Sequence, residues 1–175
     1  GVSIHDLYTK YKLSENDLNL FMPPTLKEIE NSNVSVRYLG YYLKWTPQEV
    51  YYYAVENTGF KARPFRTQGT YSKYSSIDDK IDDLHYYTTY IKFGIGRTIY
   101  DGSQEIRNNH ITREEGIALV NRFDGEFPDR YFNDIMDFID MDPEYFKNEL
   151  TDKFRSPHLW GKDNSGQWKL RHNVS

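Results

Sequence analysis

The stretch from Tyr71 to Arg97, "YSKYSSIDDKIDDLHYYTTYIKFGIGR", decides how this chain is read, because it packs four aspartates, a histidine and five tyrosines into one run. Its periodicity is helical. Ser75 and Ser76 are both suitable N-caps, with Asp78 and Asp79 three residues on. Short acidic side chains in a first turn also face the positive end of the helix dipole. Ile77, Ile81, Leu84 and Ile91 then share one face as a core stripe. Asp78, Asp82 and His85 line up at i, i+4 and i+7, rotated about 100° from that stripe. Two carboxylates and an imidazole so placed can hold a divalent cation or form a general acid–base pair. A solvated flank beside the core fits the same spacing. Hard oxygen donors favour magnesium with a nucleotide over zinc, and no helical HExxH strengthens a zinc site.

The run ends in "KFGIGR". A lone G-x-G lacks the third glycine of a dinucleotide fingerprint, so Gly94 and Gly96 fit a helix break or close packing as well as a phosphate loop. Lys92 and Arg97 flank them, and Lys73 precedes the helix. All three are candidate anion ligands, though cations near a helix C-terminus are ordinary. In the tail, Arg155, His158 and Trp160 fit either a sugar or phosphate contact or a packed loop with one stacked indole.

Outward from this segment, capping signals set the helices. Ser14 with Asp17, Thr25 with Glu28, and Thr112 with Glu115 read as capping boxes. Pro23-Pro24 stops one helix. "WTPQEVYYYAVENTGF" carries Thr46 as N-cap, Pro47 at the first helical position and Gly59 as the stop. "VSVRYLGYYLKW", Val34 to Trp45, reads as a strand or an extended segment. Residues 61–74, with Pro64 and Gly69, read as a loop long enough to be functional. Phe132, Ile135, Met136 and Ile139 repeat at helical spacing, as do Phe146, Leu150 and Phe154 after Asp142-Pro143. The tail reads as a loop with a short strand at Trp168 to Arg171. These elements predict a mainly α fold in a single domain over 1–175, with one long central loop.

The bulk numbers narrow the classes. With 175 residues the chain can bury about two-thirds of its unfolded surface. A net charge of -4 leaves no cationic excess for phosphates, so nucleic acid is not an expected partner. Aromatics make up 17%, with 16 tyrosines, which suits half-buried surfaces, interfaces and sugar sites alike. The absence of cysteine excludes disulfides, zinc thiolates and thiol nucleophiles. No apolar run approaches the roughly 20 residues that span a bilayer, and "GVSIHDLYTKYK" lacks a signal-peptide core. No membrane is expected, the location expected is cytoplasmic, and the Asn33 and Asn173 sequons carry little weight.

Four segments, "YLGYYLKWTPQEVYYYAVENTGF", "GTYSKYSSIDDKIDDLHYYTTYIKFGIGR", "SQEIRNNHITREEGIALVNRFDGEFP" and "DKFRSPHLWGKDNSGQWKLRH", resemble the C-terminal half of the bacterial N-acetyl sugar amidotransferases, from about Gly1 to Val174. That family belongs to the ATP-pyrophosphatase (adenine-nucleotide α-hydrolase-like) enzymes. It makes acetamidino sugars for surface polysaccharides and flagellar glycans, including pseudaminic- and legionaminic-type acids. The resemblance implies the helical C-terminal domain of an α/β enzyme. It also implies ATP and magnesium as cofactors, with ATP activating the amide oxygen so that ammonia can displace it. Ammonia is expected from a glutaminase working with a cyclase-like subunit. The family's Ser-Gly-Gly-x-Asp-Ser loop does not occur in this chain. The chain is therefore expected to need a nucleotide-binding half and to be inactive alone. On this reading Asp82 and His85 are the candidate catalytic pair, and Asp78 and Asp82 the candidate metal ligands. Tyr71, Lys73, Tyr74, Lys92 and Arg97 are the candidate substrate-binding residues, the cations facing a sugar carboxylate or phosphates. The alternative is a non-catalytic helical module that binds protein or carbohydrate through its tyrosines.

Overall fold

The computed structural model describes residues 3–172 and 174, so the Asn173 sequon lies outside the described residues. The fold is mainly α, with one two-stranded sheet among the described residues. Where one domain is expected, the chain divides into two compact units, Gly1–Lys44 and Trp45–Ser175.

The first unit is a string of short helices, α1 (Ile4–Thr9), α2 (Glu15–Leu18), α3 (Leu26–Asn31) and α4 (Leu39–Tyr42). The boxes Ser14/Asp17 and Thr25/Glu28 start α2 and α3 as their spacing predicts. Residues 34–38 form no regular element and pair with no strand among the described residues, and the chain then turns into α4 instead of continuing as a strand.

In the second unit α5 (Pro47–Thr58) starts on Thr46 and stops at Gly59, whose φ of 71° is left-handed. After the long loop come α6 (Asp82–Phe93), α7 (Arg97–Arg107), α8 (Arg113–Phe123) and α9 (Phe132–Phe138). A last helical run joins α10 (Pro143–Tyr145), a π-helical stretch Phe146–Leu150 and α11 (Thr151–Phe154). Leu84 of α6, Phe132, Ile135 and Met136 of α9, and Phe146 form the core, with Tyr87, Phe127 and Leu150 packed against it. Ile139 caps α9 and is 41% exposed, so it leaves the stripe. The π turn adds a residue to the helical register, which buries Thr151 and leaves Phe154 at the surface instead of on the predicted stripe. The tail forms a hairpin, β1 (Trp160–Lys162) antiparallel to β2 (Trp168–Leu170), with Trp160 opposite Leu170. The second strand is the predicted one. Its partner was not foreseen.

The largest correction concerns the quoted segment. The helix starts at Asp82 and not at Ser75. Ser76 sits at a φ of 56°, and the Asp79 carboxylate accepts the Ile81 N–H at 2.7 Å, an Asx turn that competes with a helical start. Ser75 and Ser76 are tied elsewhere: the Ser75 carbonyl accepts from Thr67, and the Ser76 hydroxyl pairs with Tyr86.

Candidate functional site

The site is built by residues 61–75 closing on themselves and docking against α7. Arg63 N donates to the Lys73 carbonyl at 2.9 Å, and Thr67 N to that of Ser72 at 2.9 Å. The Thr67 hydroxyl reaches the Ser75 carbonyl at 3.0 Å. Thr67, Gln68, Thr70 and Ser72 are buried, so this loop has a polar core that must be satisfied internally.

Side chains from the scaffold satisfy it. The Arg66 guanidinium forks onto Glu126 at 2.6 and 2.5 Å, and Glu126 also accepts the Gly69 N–H at 2.8 Å. Burial pushes the Glu126 carboxyl up, but these donors outweigh it and hold the group below its ordinary value. The Thr98 hydroxyl donates to the Gly69 carbonyl at 2.8 Å. Gln68 bonds Asp129, and its side-chain oxygen accepts Arg130 N at 2.9 Å.

The docked loop and α7 enclose a cleft of about 170 Å³, with Pro47 of α5 at its edge. Tyr71, Tyr74 and Ser75 line the loop side, and Arg97, Asp101, Gln104 and Glu105 line the helix side. Positions 97, 101 and 105 are each four apart, so they share one face of α7. Arg97 Nε bonds Asp101 at 2.8 Å, Nη1 bonds the Tyr86 oxygen at 3.0 Å, and the guanidinium lies over the Tyr86 ring. The second Asp101 oxygen accepts from Thr70 at 2.6 Å. Burial nonetheless raises the Asp101 carboxyl, against Thr70 and Arg97. Glu105 is 8% exposed and meets His110 Nδ1 at 2.6 Å. Tyr74 stacks on Tyr51 at 4.5 Å and donates to Gln48 at 3.1 Å. Burial, then the charges of Glu105 and Asp101, push Tyr74 up to about 12. Tyr71 is raised by burial and the same two acids, and its buried hydroxyl has no hydrogen-bond partner among the described residues.

Three of the eight sequence candidates, Tyr71, Tyr74 and Arg97, thus meet in one cleft. The others lie elsewhere. Lys73 is exposed beside the cleft sequence without lining it. His85 and Lys92 share a shallow hollow with Phe93 and Phe154 on the outer side of α6. Asp82 is in the first turn of α6, whereas Asp78 precedes the helix and is exposed, so Asp78, Asp82 and His85 do not share a helical face. Among the described residues no group of three or more acids and histidines is placed to hold a metal ion.

Sequence reasoning missed Asp101, Gln104 and Glu105. The four-residue ladder from Arg97 was the available signal. It also missed Asp83, which is 1% exposed, with neither carboxylate oxygen hydrogen-bonded among the described residues. Its nearest cation is Arg130 at 3.7 Å, and burial raises its carboxyl against Arg130 and Arg63.

Neither the Gly94–Gly96 turn nor the α7 cleft fits ATP. Gly94, at a φ of 70°, ends α6, and Gly96 is the N-cap of α7. The positive end of α7 already holds an anion: the Asp124 carboxylate accepts Thr98 N at 2.8 Å and Gly96 N at 3.3 Å. The cleft is smaller than the roughly 300–1,000 Å³ of small-molecule pockets and presents two carboxylates against one guanidinium. A triphosphate suits neither its size nor its sign.

Fold and cleft together define a helical domain with a tyrosine-walled, polar cleft. The family model described as "LPS biosynthesis protein WbpG-like, C-terminal domain" matches residues 68–174, and the chain belongs to that family. That range contains the cleft's loop and α7 residues but not Pro47. No curated protein matches the chain. No helix among the described residues is long and apolar enough to cross a membrane.

Proposed function

We propose that this chain is the sugar-side domain of an ATP-dependent N-acetyl sugar amidotransferase, serving surface-polysaccharide or flagellar-glycan synthesis, and that the α7 cleft seats the reacting acetamido group. The observation that carries this is the lining itself. Phenol rings stack on sugar faces, while a carboxylate pair, an amide and a guanidinium supply the planar hydrogen-bonding groups that fix hydroxyls and amides. In the overall conversion the acetamido oxygen is replaced by nitrogen from ammonia, and ATP and magnesium, held by a nucleotide-binding half, supply the activation. A glutaminase and a cyclase-like subunit are the proposed ammonia source. The contribution of this chain is to bind and orient the sugar, with Tyr71, Tyr74 and Gln104 on the acetamido group.

The test uses the complete enzyme with ammonium, ATP and a nucleotide-linked N-acetyl sugar, and mass spectrometry to detect exchange of O for NH. Product is expected only with ATP, and not from residues 1–175 alone. Gln104→Ala and Tyr74→Ala are expected to raise KM about tenfold or more while the protein stays folded. Turnover unaffected by both substitutions would remove the cleft from the reading. The same tyrosine-walled lining supports a second reading, a carbohydrate-binding module without catalysis. It predicts sugar binding that is indifferent to ATP.

A further inference from the structure

We infer that the α7 cleft is built for a small planar N–H cation of the amidinium type, and not for an anion; the inference rests on the sugar-side reading above and specifies what the cleft grips.

Arg97 is the one guanidinium in the lining. Its Nε is committed to Asp101 at 2.8 Å, and its Nη1 to the Tyr86 oxygen at 3.0 Å. The Tyr86 and Tyr100 rings lie 5.0 and 5.2 Å from its carbon. Its charge is already met by the Asp101 carboxylate at 2.8 Å, which would repel an incoming carboxylate or phosphate. Pairing Arg97 with Asp101 leaves Glu105 as the second carboxylate of the lining, and its partner His110, at 2.6 Å, stands outside that lining.

Glu105 is buried, and its one hydrogen bond among the described residues is Oε2 to His110. Its other oxygen therefore has acceptor capacity unspent on a wall of the cavity. A second group points the same way. The Tyr71 hydroxyl is buried on the lining with no hydrogen-bond partner among the described residues, and an unsatisfied phenol of this kind usually awaits a ligand or a water. Tyr71, Tyr74 and Tyr100 also line the cleft, and the face of a phenol ring attracts cations and repels anions. The upward shifts of Tyr71 and Tyr74, caused in part by Asp101 and Glu105, agree that the local potential is negative.

An amidinium is flat, delocalised and rich in N–H donors, so it meets a carboxylate side-on and stacks against phenols. An acetamido group is neutral, whereas its acetamidino counterpart is such a cation. A cleft of this sign therefore favours the charge that develops as nitrogen replaces the amide oxygen, which is the useful direction for a catalyst. An acidic sugar's carboxylate would lie outside it.

The experiment titrates the 175-residue chain with acetamidinium chloride, acetamide, sodium acetate and ammonium chloride at matched ionic strength, following backbone amide signals by NMR. Saturable shifts at Tyr71, Arg97 and Glu105 with acetamidinium are expected. Acetamide should bind about tenfold more weakly, and acetate and ammonium should leave the cleft signals in place. Glu105→Gln should weaken acetamidinium about tenfold with an unchanged circular dichroism spectrum. If that variant unfolds, the wild-type series decides by itself. Acetate or ammonium matching acetamidinium, or no cleft shift with acetamidinium, overturns the inference. Its failure with turnover still dependent on Gln104 and Tyr74 leaves the sugar-side reading standing. Acetamidinium binding without that dependence does the reverse.

Discussion

In Glu126→Gln the carboxylate that closes the central loop onto its scaffold becomes an amide of the same shape. Glu126 accepts three N–H groups, from Arg66 at 2.6 and 2.5 Å and from Gly69 at 2.8 Å. A glutamine oxygen can keep the two donors that share Oε2, but the amide nitrogen then faces Arg66 Nη2, donor against donor. The loss is one charge-assisted hydrogen bond, about 1.5–3 kcal/mol, plus the attraction between the charges. The two side chains are 31% and 27% exposed, so solvent screens most of that attraction. A net cost of about 2 kcal/mol corresponds to a fall in Tm of roughly 4–8 °C.

The effect should also be local and dependent on pH. Hydrogen exchange at Thr67 to Ser72 should accelerate more than exchange in α9, because Glu126 holds the loop and touches none of the α9 core. The folded carboxyl lies below its ordinary value of 4.5, so its stabilisation is complete above that value and is lost as pH falls through the lowered folded one. The gap in Tm between wild type and variant should thus be full at pH 7 and shrink below about pH 4. A Tm within about 1 °C of wild type, with loop exchange unchanged, would refute the claim that this contact holds the cleft wall.

Two further substitutions probe the scaffold. Asp83→Asn should raise Tm at pH 7, because the wild-type carboxylate is buried with no hydrogen bond among the described residues. The raised folded value means that its cost is largest at high pH and fades as protonation sets in, so the gain should vanish towards the ordinary value of 3.8. A drop at pH 7 would mean that the Arg130 contact outweighs desolvation. Gly96→Ala would drive a methyl group into the Asp124 carboxylate, which cannot move without releasing the N–H groups of Gly96 and Thr98. Urea denaturation should show a loss of about 1–2 kcal/mol, the size of a lost N-cap. Asp124→Ala removes the same cap, so the double variant should cost little more than either single one, and strict additivity would contradict this account.

Much of the architecture was legible because local chemistry sufficed. The start of α5 needed only Thr46, Pro47 and Glu49, and its end only Gly59. Thr112 and Glu115 likewise form their box unaided. The beginning of α6 was not legible, because Ser75 and Ser76 are good caps in isolation but spend their polar groups on Thr67 and Tyr86, partners fixed only by tertiary packing. Nor does any local signal announce the π turn at Phe146–Leu150 that puts Phe154 at the surface.

That single misplaced boundary grouped three side chains on a helical face that does not form. A helix running back to Ser75 puts Asp78, Asp82 and His85 on one face and invites a metal. A helix starting at Asp82 dissolves that face and leaves His85 beside Lys92 in an open hollow. Tyr71, Tyr74 and Arg97 line one cleft all the same, because they belong to the loop and to α7, whose positions do not depend on where α6 starts. Asp101 and Glu105 were overlooked for a different reason. With Arg97 they form an i, i+4, i+8 charge ladder, which on an isolated helix is a solvated face worth a few tenths of a kcal/mol per pair. Burying that ladder under a docked loop takes Thr70 to Asp101 and His110 to Glu105, and only then do the carboxylates line a cavity instead of a surface. Spacing located these side chains on the helix, but burial determines whether they can act on a ligand.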